Sequence, residues 1–415
     1  MEFYKEIEFK NTEIGEIPKN WRISDLGSEC KIIMGQSPPS RSYNDKGEGL
    51  PFFQGNMDFE EKHPKIRLFC SEPKKIAQTD DILISVRAPV GELNIADRKC
   101  CIGRGLAALG ARGENYRDYL YYSIKHFIEK LIGQGSTFKA IGKTELFKFK
   151  LPFPRIEEQR EIASILSKVD DLIQKTDEII QKTQLLKKGL MQELLTKGIG
   201  HKEFKYSEEL ACEIPKGWDT VKIGDSKYST LLTGGTPSTK KKNYWNGTVP
   251  WMASGDIHKK YIKEVPGKIS QEGLKNSAAK YIPINSVLVA LNGQGKTKGT
   301  VAINLIELTC NQSIAAYVLN KDEFNPFFVF HYLTSQYIEL RSLASNNDRA
   351  GLNLRLLRSV IVPKPFLSEQ YQIASILSNI DDQIEKERRT KEQLERMKKG
   401  LMQILLTGKV RIKVN

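Results

Sequence analysis

Residues 290–297 have the types and spacing of a nucleotide-binding loop. Ala290 is followed, after four residues, by Gly295, Lys296 and Thr297, and in such loops backbone N–H groups and a lysine hold phosphates. The motif requires a strand before it and a helix after it. The apolar, β-branched SVLVA predicts the strand, but TKGTVAINLIELTC alternates like a second strand. We therefore predict strand, glycine turn and strand over 283–303, without the helix N-terminus that would hold a phosphate.

Two further patterns carry catalytic residue types. NPFF, starting at Asn325, is similar to the Asn-Pro-Pro-aromatic motif of amino-methyltransferases but lacks the second proline, and Pro326 suits the first position of a helix. The pairs Asp170-Asp171 and Asp381-Asp382 fall inside predicted helices, where we expect a solvated face and not a nuclease centre. The scattered cysteines and histidines have no zinc-ligand spacing. The sequence predicts no catalytic residue and no metal site.

Composition indicates a large basic protein of globular type. The 415 residues suffice for two or three domains. A net charge of +14 favours a polyanionic partner, since basic surfaces attract phosphate backbones. No run approaches the roughly 18 apolar residues of a membrane span, and the first residues lack the apolar core of a signal peptide. We expect a cytoplasmic protein with no membrane association.

The chain repeats itself. EQREIASILSKVDDLIQKTDEIIQKTQLLKKGLMQELLT, from Glu158, aligns without gaps with EQYQIASILSNIDDQIEKERRTKEQLERMKKGLMQILLT, from Glu369, and 21 of 39 positions are identical. A second repeat, ending in EIPKNW and EIPKGW, opens each half. The sequence therefore predicts a tandem duplication in which a variable block is followed, twice, by the same segment.

Each repeated segment is predicted to form one long helix. Apolar residues recur at three- and four-residue intervals, which is typical of a coiled-coil seam. Prolines precede both copies, and Gly198 and Gly408 follow them. About 38 residues give a helix roughly 57 Å long, and two such helices can pair antiparallel. A polar stretch around Arg388 and Lys391 either loosens this packing or faces a partner.

The variable blocks are predicted to be α+β, with basic and polar loops between their strands. Arg, Lys, Asn, Gln, Ser and Thr are the residue types that bind base edges and phosphates, although such loops are also common on any solvated surface. We predict DNA contact for the following candidates: Gln36, Ser37, Arg41, Arg87, Arg104, Ser136, Lys139, Thr236, Ser238, Lys240, Lys241, Asn292, Gln294, Lys296, Arg349, Asn353 and Arg355.

Three motifs occur twice in the chain, and as a duplicated set they are specific to one protein family. They are the EIPK-W openings, the PFP and PKP leads into EQ-IASILS-DD, and the KKGLMQ-LLT endings. With them the chain resembles the specificity subunit of a Type I restriction–modification system over essentially its whole length. The resemblance implies two target recognition domains joined by two long antiparallel coiled-coil helices. Each domain would read one half of a split double-stranded DNA site, and the helices would set the gap. On this basis we assign target recognition domains to 1–157 and 199–368, spacer helices to 158–198 and 369–408, and a tail to 409–415.

The resemblance also implies that the chain itself is not catalytic. Two methyltransferase subunits and the restriction subunits would supply S-adenosylmethionine, ATP and Mg chemistry. The family's helix markers correspond here to Glu158, Gln159, Gly189, Glu369, Gln370 and Gly400, as organisers of the helix pair and of the methyltransferase docking surface. Two rival interpretations stay open: an enzyme that binds a nucleotide or S-adenosylmethionine, and a coiled-coil adaptor without sequence-specific DNA binding.

Overall fold

The computed structural model describes residues 2–113, 115–132, 140–293, 295–344 and 351–414. Within them the strands are, in chain order, β1 (Glu2–Lys5), β2 (Phe9–Thr12), β3 (Gly15–Pro18), β4 (Arg22–Asp25), β5 (Cys30–Met34), β6 (Tyr43–Asn44), β7 (Leu50–Phe53), β8 (Leu68–Cys70), β9 (Ile76–Ala77), β10 (Ile82–Ser85), β11 (Leu93–Ile95), β12 (Cys100–Ile102), β13 (Leu106–Ala111), β14 (Lys150–Phe153), β15 (Phe204–Ser207), β16 (Cys212–Pro215), β17 (Asp219–Lys222), β18 (Ser229–Thr233), β19 (Trp245–Met252), β20 (Tyr261–Ile262), β21 (Gly267–Ile269), β22 (Val287–Ala290), β23 (Val301–Asn304), β24 (Thr309–Cys310), β25 (Ile314–Leu319), β26 (Ile361–Lys364) and β27 (Val410–Lys413).

The α-helices of the described residues are α1 (Leu26–Glu29), α2 (Arg117–Ile132), α3 (Lys143–Phe147), α4 (Ile156–Leu194), α5 (Gln271–Lys275), α6 (Pro326–Ser335), α7 (Tyr337–Ser342), α8 (Leu354–Arg358) and α9 (Leu367–Leu405). The two repeated segments form α4 and α9, as predicted, and each is 39 residues long. The predicted late helix of the second block is instead two helices, because the chain leaves helical geometry at Gln336, between α6 and α7.

The chain divides into two compact units. Unit 1 contains Met1–Asp177 and Arg389–Asn415, and unit 2 contains Glu178–Arg388. Both long helices contribute residues to both units. The α+β fold class and the tandem duplication are confirmed: two globular domains are joined by two long helices.

The two units share one sheet plan. Unit 1 has a four-stranded antiparallel sheet in the order β11-β10-β13-β5, and unit 2 has the order β18-β25-β22-β23 with β20 added at the edge. Each unit also has a parallel pair, β7 with β12 and β19 with β24. The inner strands β10 and β22 of these sheets are fully buried, mainly apolar runs. The core of each unit forms between this sheet, its late helices and the adjoining ends of the long helices.

Within each unit the two long helices run antiparallel, held by ion pairs. In unit 1 Asp170 pairs with Lys398, and Asp177 pairs with Lys391. In unit 2 Asp381 pairs with Lys187. The polar stretch of the second copy therefore places the ammonium group of Lys391 against the facing helix.

The acidic pairs were predicted to lie on a solvated face, and Asp171 and Asp382 are exposed as predicted. Asp170 is 34% exposed, whereas for Asp381 the prediction is wrong. Asp381 is largely buried, and its Oδ2 accepts from Tyr261 Oη at 2.8 Å as well as from Lys187. Asp170 likewise accepts from Tyr122 Oη at 2.7 Å. The spacing of apolar residues, which predicted the helices, does not reveal that a carboxylate between them is paired with a lysine of the facing helix.

Candidate nucleic-acid interface

In unit 1 the loops that follow four strands meet at one place. Gln36 N donates to Ile102 O at 3.0 Å, Gly103 N donates to Phe53 O at 2.9 Å, and Val86 N donates to Gly105 O at 2.9 Å. These bonds join the segments after β5, β7, β10 and β12. We call residues 35–37, 53–55, 86–87 and 103–105 loop cluster 1.

A hydroxyl lies at the centre of loop cluster 1. Ser37 Oγ accepts from Arg104 N at 3.3 Å and lies 3.0 Å from Gln54 Nε2. A side chain at Gly35 would collide with the carbonyl of Gly103, so the loops approach as closely as they do only because glycine stands there. The sequence-predicted residues Gln36, Ser37, Arg87 and Arg104 are thus brought together, and all but the half-buried Ser37 are exposed.

Unit 2 builds the corresponding surface. Gly235 N donates to Cys310 O at 2.8 Å, and Asn311 N donates to Met252 O at 3.1 Å. Leu291 N donates to Ser313 O, and Leu352 N donates to Leu291 O, both at 2.8 Å. We call residues 234–236, 252–253, 291–293, 311–313 and 351–353 loop cluster 2.

Loop cluster 2 also centres on a hydroxyl that bonds an amide. Thr236 follows Gly235 as Ser37 follows Gln36, and its Oγ1 donates to Gln312 Oε1 at 2.6 Å. The predicted residues Thr236, Asn292 and Asn353 lie here and are exposed. Asn353 is partly committed to the fold, because its side chain accepts from Leu356 N and caps α8.

The segment that matches a nucleotide-binding loop is a turn between β22 and β23. These strands pair antiparallel, and no helix follows Ala290 in the described residues up to β23. Tyr337 Oη donates to Lys296 O at 2.8 Å, and Arg341 Nη1 donates to Gly295 O at 2.9 Å. The carbonyls thus point at α7, whereas the exposed Lys296 side chain is available to a ligand.

Other predicted DNA contacts lie outside the two clusters. Arg41 pairs with Glu72 at 3.6 Å, and Lys241 donates to Tyr244 Oη at 2.9 Å, a bond that raises the pKa of Lys241. Ser238, Lys240 and Arg355 are exposed. Ser136, Lys139, Gln294 and Arg349 lie outside the described residues.

Gln54 and Gln312 were missed by the sequence reasoning. Both are exposed and bond the central hydroxyl of their cluster. Gln54 follows the apolar pair Phe52-Phe53, and Gln312 follows Cys310-Asn311, so neither stands in a loop rich in basic residues. The internal similarity of CIGRGLAAL and CNQSIAAYV, taken letter by letter, places Gln312 opposite Gly103. The strand pairing instead places Gln312 opposite Arg104, because Ile102 pairs with Phe53 as Cys310 pairs with Met252.

The helix markers of unit 1 anchor α4 to its block. Glu158 accepts from Trp21 Nε1 at 3.3 Å and from Arg411 Nε at 2.6 Å. Gln159 accepts from Tyr116 N at 3.1 Å and donates to Pro154 O at 3.0 Å.

The markers of unit 2 repeat the pattern. Glu369 accepts from Trp218 Nε1 at 3.0 Å and lies 2.9 Å from His201 Nε2. Gln370 accepts from Asn325 N at 2.8 Å. Asn325 itself caps α6 with Pro326 at the helix start, as predicted.

Gly189 and Gly400 differ from the other markers. Both lie on exposed helix surface, and a side chain at either position would meet no protein atom within 4 Å. Their role in docking stays a prediction.

Ser378, His331 and Asp381 have the residue types of a nucleophile triad but not its geometry. Ser378 Oγ lies 3.1 Å from His331 Nε2, whereas Nδ1 is 4.0 Å from Asp381 Oδ2, beyond hydrogen-bond distance. His331 is wholly buried. Burial and the nearby Lys187 lower the pKa of His331 to about 3, against the opposing effect of Asp381. A general base must accept a proton near its operating pH, so this group is structural.

Among the described residues there is no group of His, Cys, Asp or Glu that could hold a metal ion. In the same part of the chain, every helix is too short or too polar to cross a bilayer.

The family model "Type I restriction modification DNA specificity domain" matches residues 18–184 and 215–396. The type I restriction enzyme MjaVIII specificity subunit of Methanocaldococcus jannaschii is 28% identical over 432 aligned positions, which cover 100% of this chain and 98% of the relative. The "Putative type I restriction enzyme MjaX specificity subunit" of the same organism is 46% identical over 196 residues, which is 46% of each chain.

Solved structures support the fold. The S subunit of a Type-I restriction-modification system from M. genitalium has a TM-score of 0.63 at 16% identity, over 95% of this chain and 97% of that chain. A chain from a study of complex assembly and conformational transition of the type I R-M system has a TM-score of 0.58 at 17% identity, over 95% and 99%. With the family match covering most of both units, this chain belongs to the Type I restriction–modification DNA specificity family.

Proposed function

We propose that this chain is the DNA-specificity subunit of a Type I restriction–modification complex, and that each loop cluster reads one half of a two-part site. The observation that carries the proposal is the repetition of one loop arrangement with different side chains. Ser37 and Thr236 stand two residues after the matching glycines Gly35 and Gly234. Arg104 and Gln312 correspond because each stands two residues after the end of the matching parallel strand pair. Two loop clusters with the same backbone arrangement but different side chains are suited to recognise two different half-sites.

The remaining parts have supporting roles. The paired long helices hold a fixed gap between the half-sites and offer the exposed helix surface at Gly189 and Gly400 to two methyltransferase subunits. Restriction subunits join that assembly. S-adenosylmethionine, ATP and Mg are bound by these partners, and the assembled complex methylates adenine N6 and cleaves DNA in the cytoplasm. This chain contributes base recognition and positioning and no catalytic group. The segments 1–157 and 199–368 are the target recognition domains, 158–198 and 369–408 are the spacers, and 409–415 is the tail.

The test is methylation mapping by long-read sequencing after co-expression with the methyltransferase subunit of the same host. We expect a two-part motif separated by a fixed unspecified gap. Exchange of residues 17–157 for the block of another family member should change one half of the motif only. A continuous motif, or methylation that does not depend on this chain, would favour the adaptor without sequence-specific binding.

A further inference from the structure

The amides of Gln54 and Gln312 are presented to the outside in a fixed geometry. Ser37 Oγ lies 3.0 Å from Gln54 Nε2 and 3.2 Å from Oε1. Thr236 Oγ1 donates to Gln312 Oε1 at 2.6 Å. Exposed glutamines ordinarily sample many rotamers, and ordering one costs free energy. A hydroxyl that holds the amide reduces this cost before a ligand arrives.

The backbone around Gln54 is fixed as well. Gln54 N donates to Asp58 Oδ2 at 2.9 Å. Gly103 and Gly105 lie against Gln54: a side chain on Gly103 would reach its Oε1 at 2.5 Å, and one on Gly105 would reach its backbone O at 2.5 Å. Neither position tolerates a larger residue without movement of Gln54. The position of the Gln54 amide is therefore fixed by the residues packed around it.

The surroundings of both amides suit a polyanion. Arg104 and Arg87 are exposed in the same cluster as Gln54. On the Gln312 side, Asn292 is exposed in loop cluster 2, and Lys296 follows in the turn after it. Cations can contact phosphates and leave the amides to meet base edges.

We infer that the hydroxyl–amide pairs Ser37–Gln54 and Thr236–Gln312 are base readers, each glutamine recognising an adenine in the major groove of one half-site. A glutamine amide can donate to adenine N7 and accept from N6 at once. At Gln312 the Thr236 hydroxyl bonds Oε1 only and leaves Nε2 and the second lone pair of Oε1 for the adenine edge. At Gln54 the Ser37 hydroxyl lies within hydrogen-bond distance of both amide atoms, so the adenine edge displaces it when the base binds. Ser37 and Thr236 are positioning residues and do not read bases themselves. The inference rests on the proposed function.

The experiment is the same methylation mapping, applied to the whole chain co-expressed with its methyltransferase subunit. Gln54→Ala should relax one position of one half-site, lowering the preference for adenine there by about 5-fold to about 150-fold. Gln312→Ala should do so in the other half-site. In each variant the untouched half-site reports that the chain still folds and docks. Gln78→Ala, an exposed glutamine in the turn before β10 and so at the opposite end of that strand from loop cluster 1, should leave both half-sites unchanged.

The positioning role has its own readout. Thr236→Val removes the hydroxyl and keeps the shape, so it should relax the same position as Gln312→Ala, to a smaller extent, and Thr236→Ser should restore it. If the parent chain gives no two-part motif, the proposed function fails. If the parent gives one and neither glutamine variant relaxes a single position, the inference alone is overturned. Uniform loss of methylation at both half-sites in the glutamine variants would also overturn it.

Discussion

Arg411 donates two hydrogen bonds to Glu158, a residue 253 positions earlier in the chain: Nε to Oε1 at 2.6 Å and Nη2 to Oε2 at 2.8 Å. Both side chains are buried, at 7% and 3% exposed. Glu158 opens α4, and β27, which contains Arg411, pairs with β1. One bidentate ion pair thus holds together the first strand, the start of the first long helix and the last strand.

Arg411→Ala should destabilise unit 1 by about 3–5 kcal/mol, because removal of one partner leaves a buried charge uncompensated. Hydrogen exchange should rise over residues 2–25 and 156–166 and stay unchanged over 199–215. Lys413→Ala is the matched control, since its pair with Glu2 is largely exposed and such pairs contribute about 0–1 kcal/mol. Equal effects of the two variants would show that burial of the pair does not matter.

Stability should fall on mild acidification because of His331. Its folded pKa is lowered to about 3 from 6.5, first by burial and then by Lys187 and Lys260, with Asp381 opposing. A depressed folded pKa means that the unfolded chain takes up the proton first, so stability is lost as pH drops below 6.5. Between pH 6.5 and 5 the parent should lose about 1.5 kcal/mol more than His331→Gln. Parallel pH profiles of the two proteins in urea unfolding would contradict the assignment.

Gly198→Ala should destabilise unit 2 more than Gly200→Ala. Both glycines have positive φ, +68° and +72°, so each substitution carries a backbone cost of about 1–2 kcal/mol. At Gly198 the added methyl also collides with the Glu369 carboxylate and lies 2.7 Å from the Trp218 ring, whereas at Gly200 it meets nothing within 4 Å. Because the backbone cost is common to both variants, the difference between their melting temperatures reports the steric clash at Gly198. Equal decreases in melting temperature would show that Glu369 and Trp218 move aside freely.

Arg104→Ala should weaken DNA binding mainly through its charge. Loss of one phosphate contact lowers the slope of log affinity against log salt by about 0.9. Titration of a duplex carrying the mapped site, at several salt concentrations, gives this slope. Lys19→Ala, on the β2–β3 hairpin and paired with Glu8 at 3.8 Å, should leave it unchanged. An equal change of the slope in both variants would mean that Arg104 acts through the overall charge of the protein and not through a phosphate contact of its own.

The duplication and the long helices were predictable because both are local in sequence. A three- and four-residue apolar period and two ungapped repeats need no knowledge of tertiary structure. The same reasoning placed Pro326 at a helix start and rejected the nucleotide-binding loop around Lys296, because each depends on neighbouring residues. It also selected Ser37, Arg87 and Arg104, which the fold brings together.

What the sequence did not reveal depends on distant partners. Asp381 looks like any helix-surface carboxylate until Lys187 and Tyr261 face it. Gln54 stands in an apolar segment, and only the approach of Ser37, 17 residues earlier, marks it as a held amide. Glu158 was recognised as a repeated residue, but its arginine and tryptophan partners lie 253 and 137 residues away.

The pairing of β1 with β27 has a consequence for the order of events during synthesis. Unit 2 is contiguous in sequence, whereas unit 1 needs residues from both ends of the chain. At about 5–20 residues per second, the ribosome adds Arg411 about 13–50 s after Glu158. Throughout that interval the first block has neither its last strand nor the arginine partner of its buried carboxylate, and the last residue of unit 2, Arg388, is added before Arg411. The domain that is made first is therefore the one that is finished last.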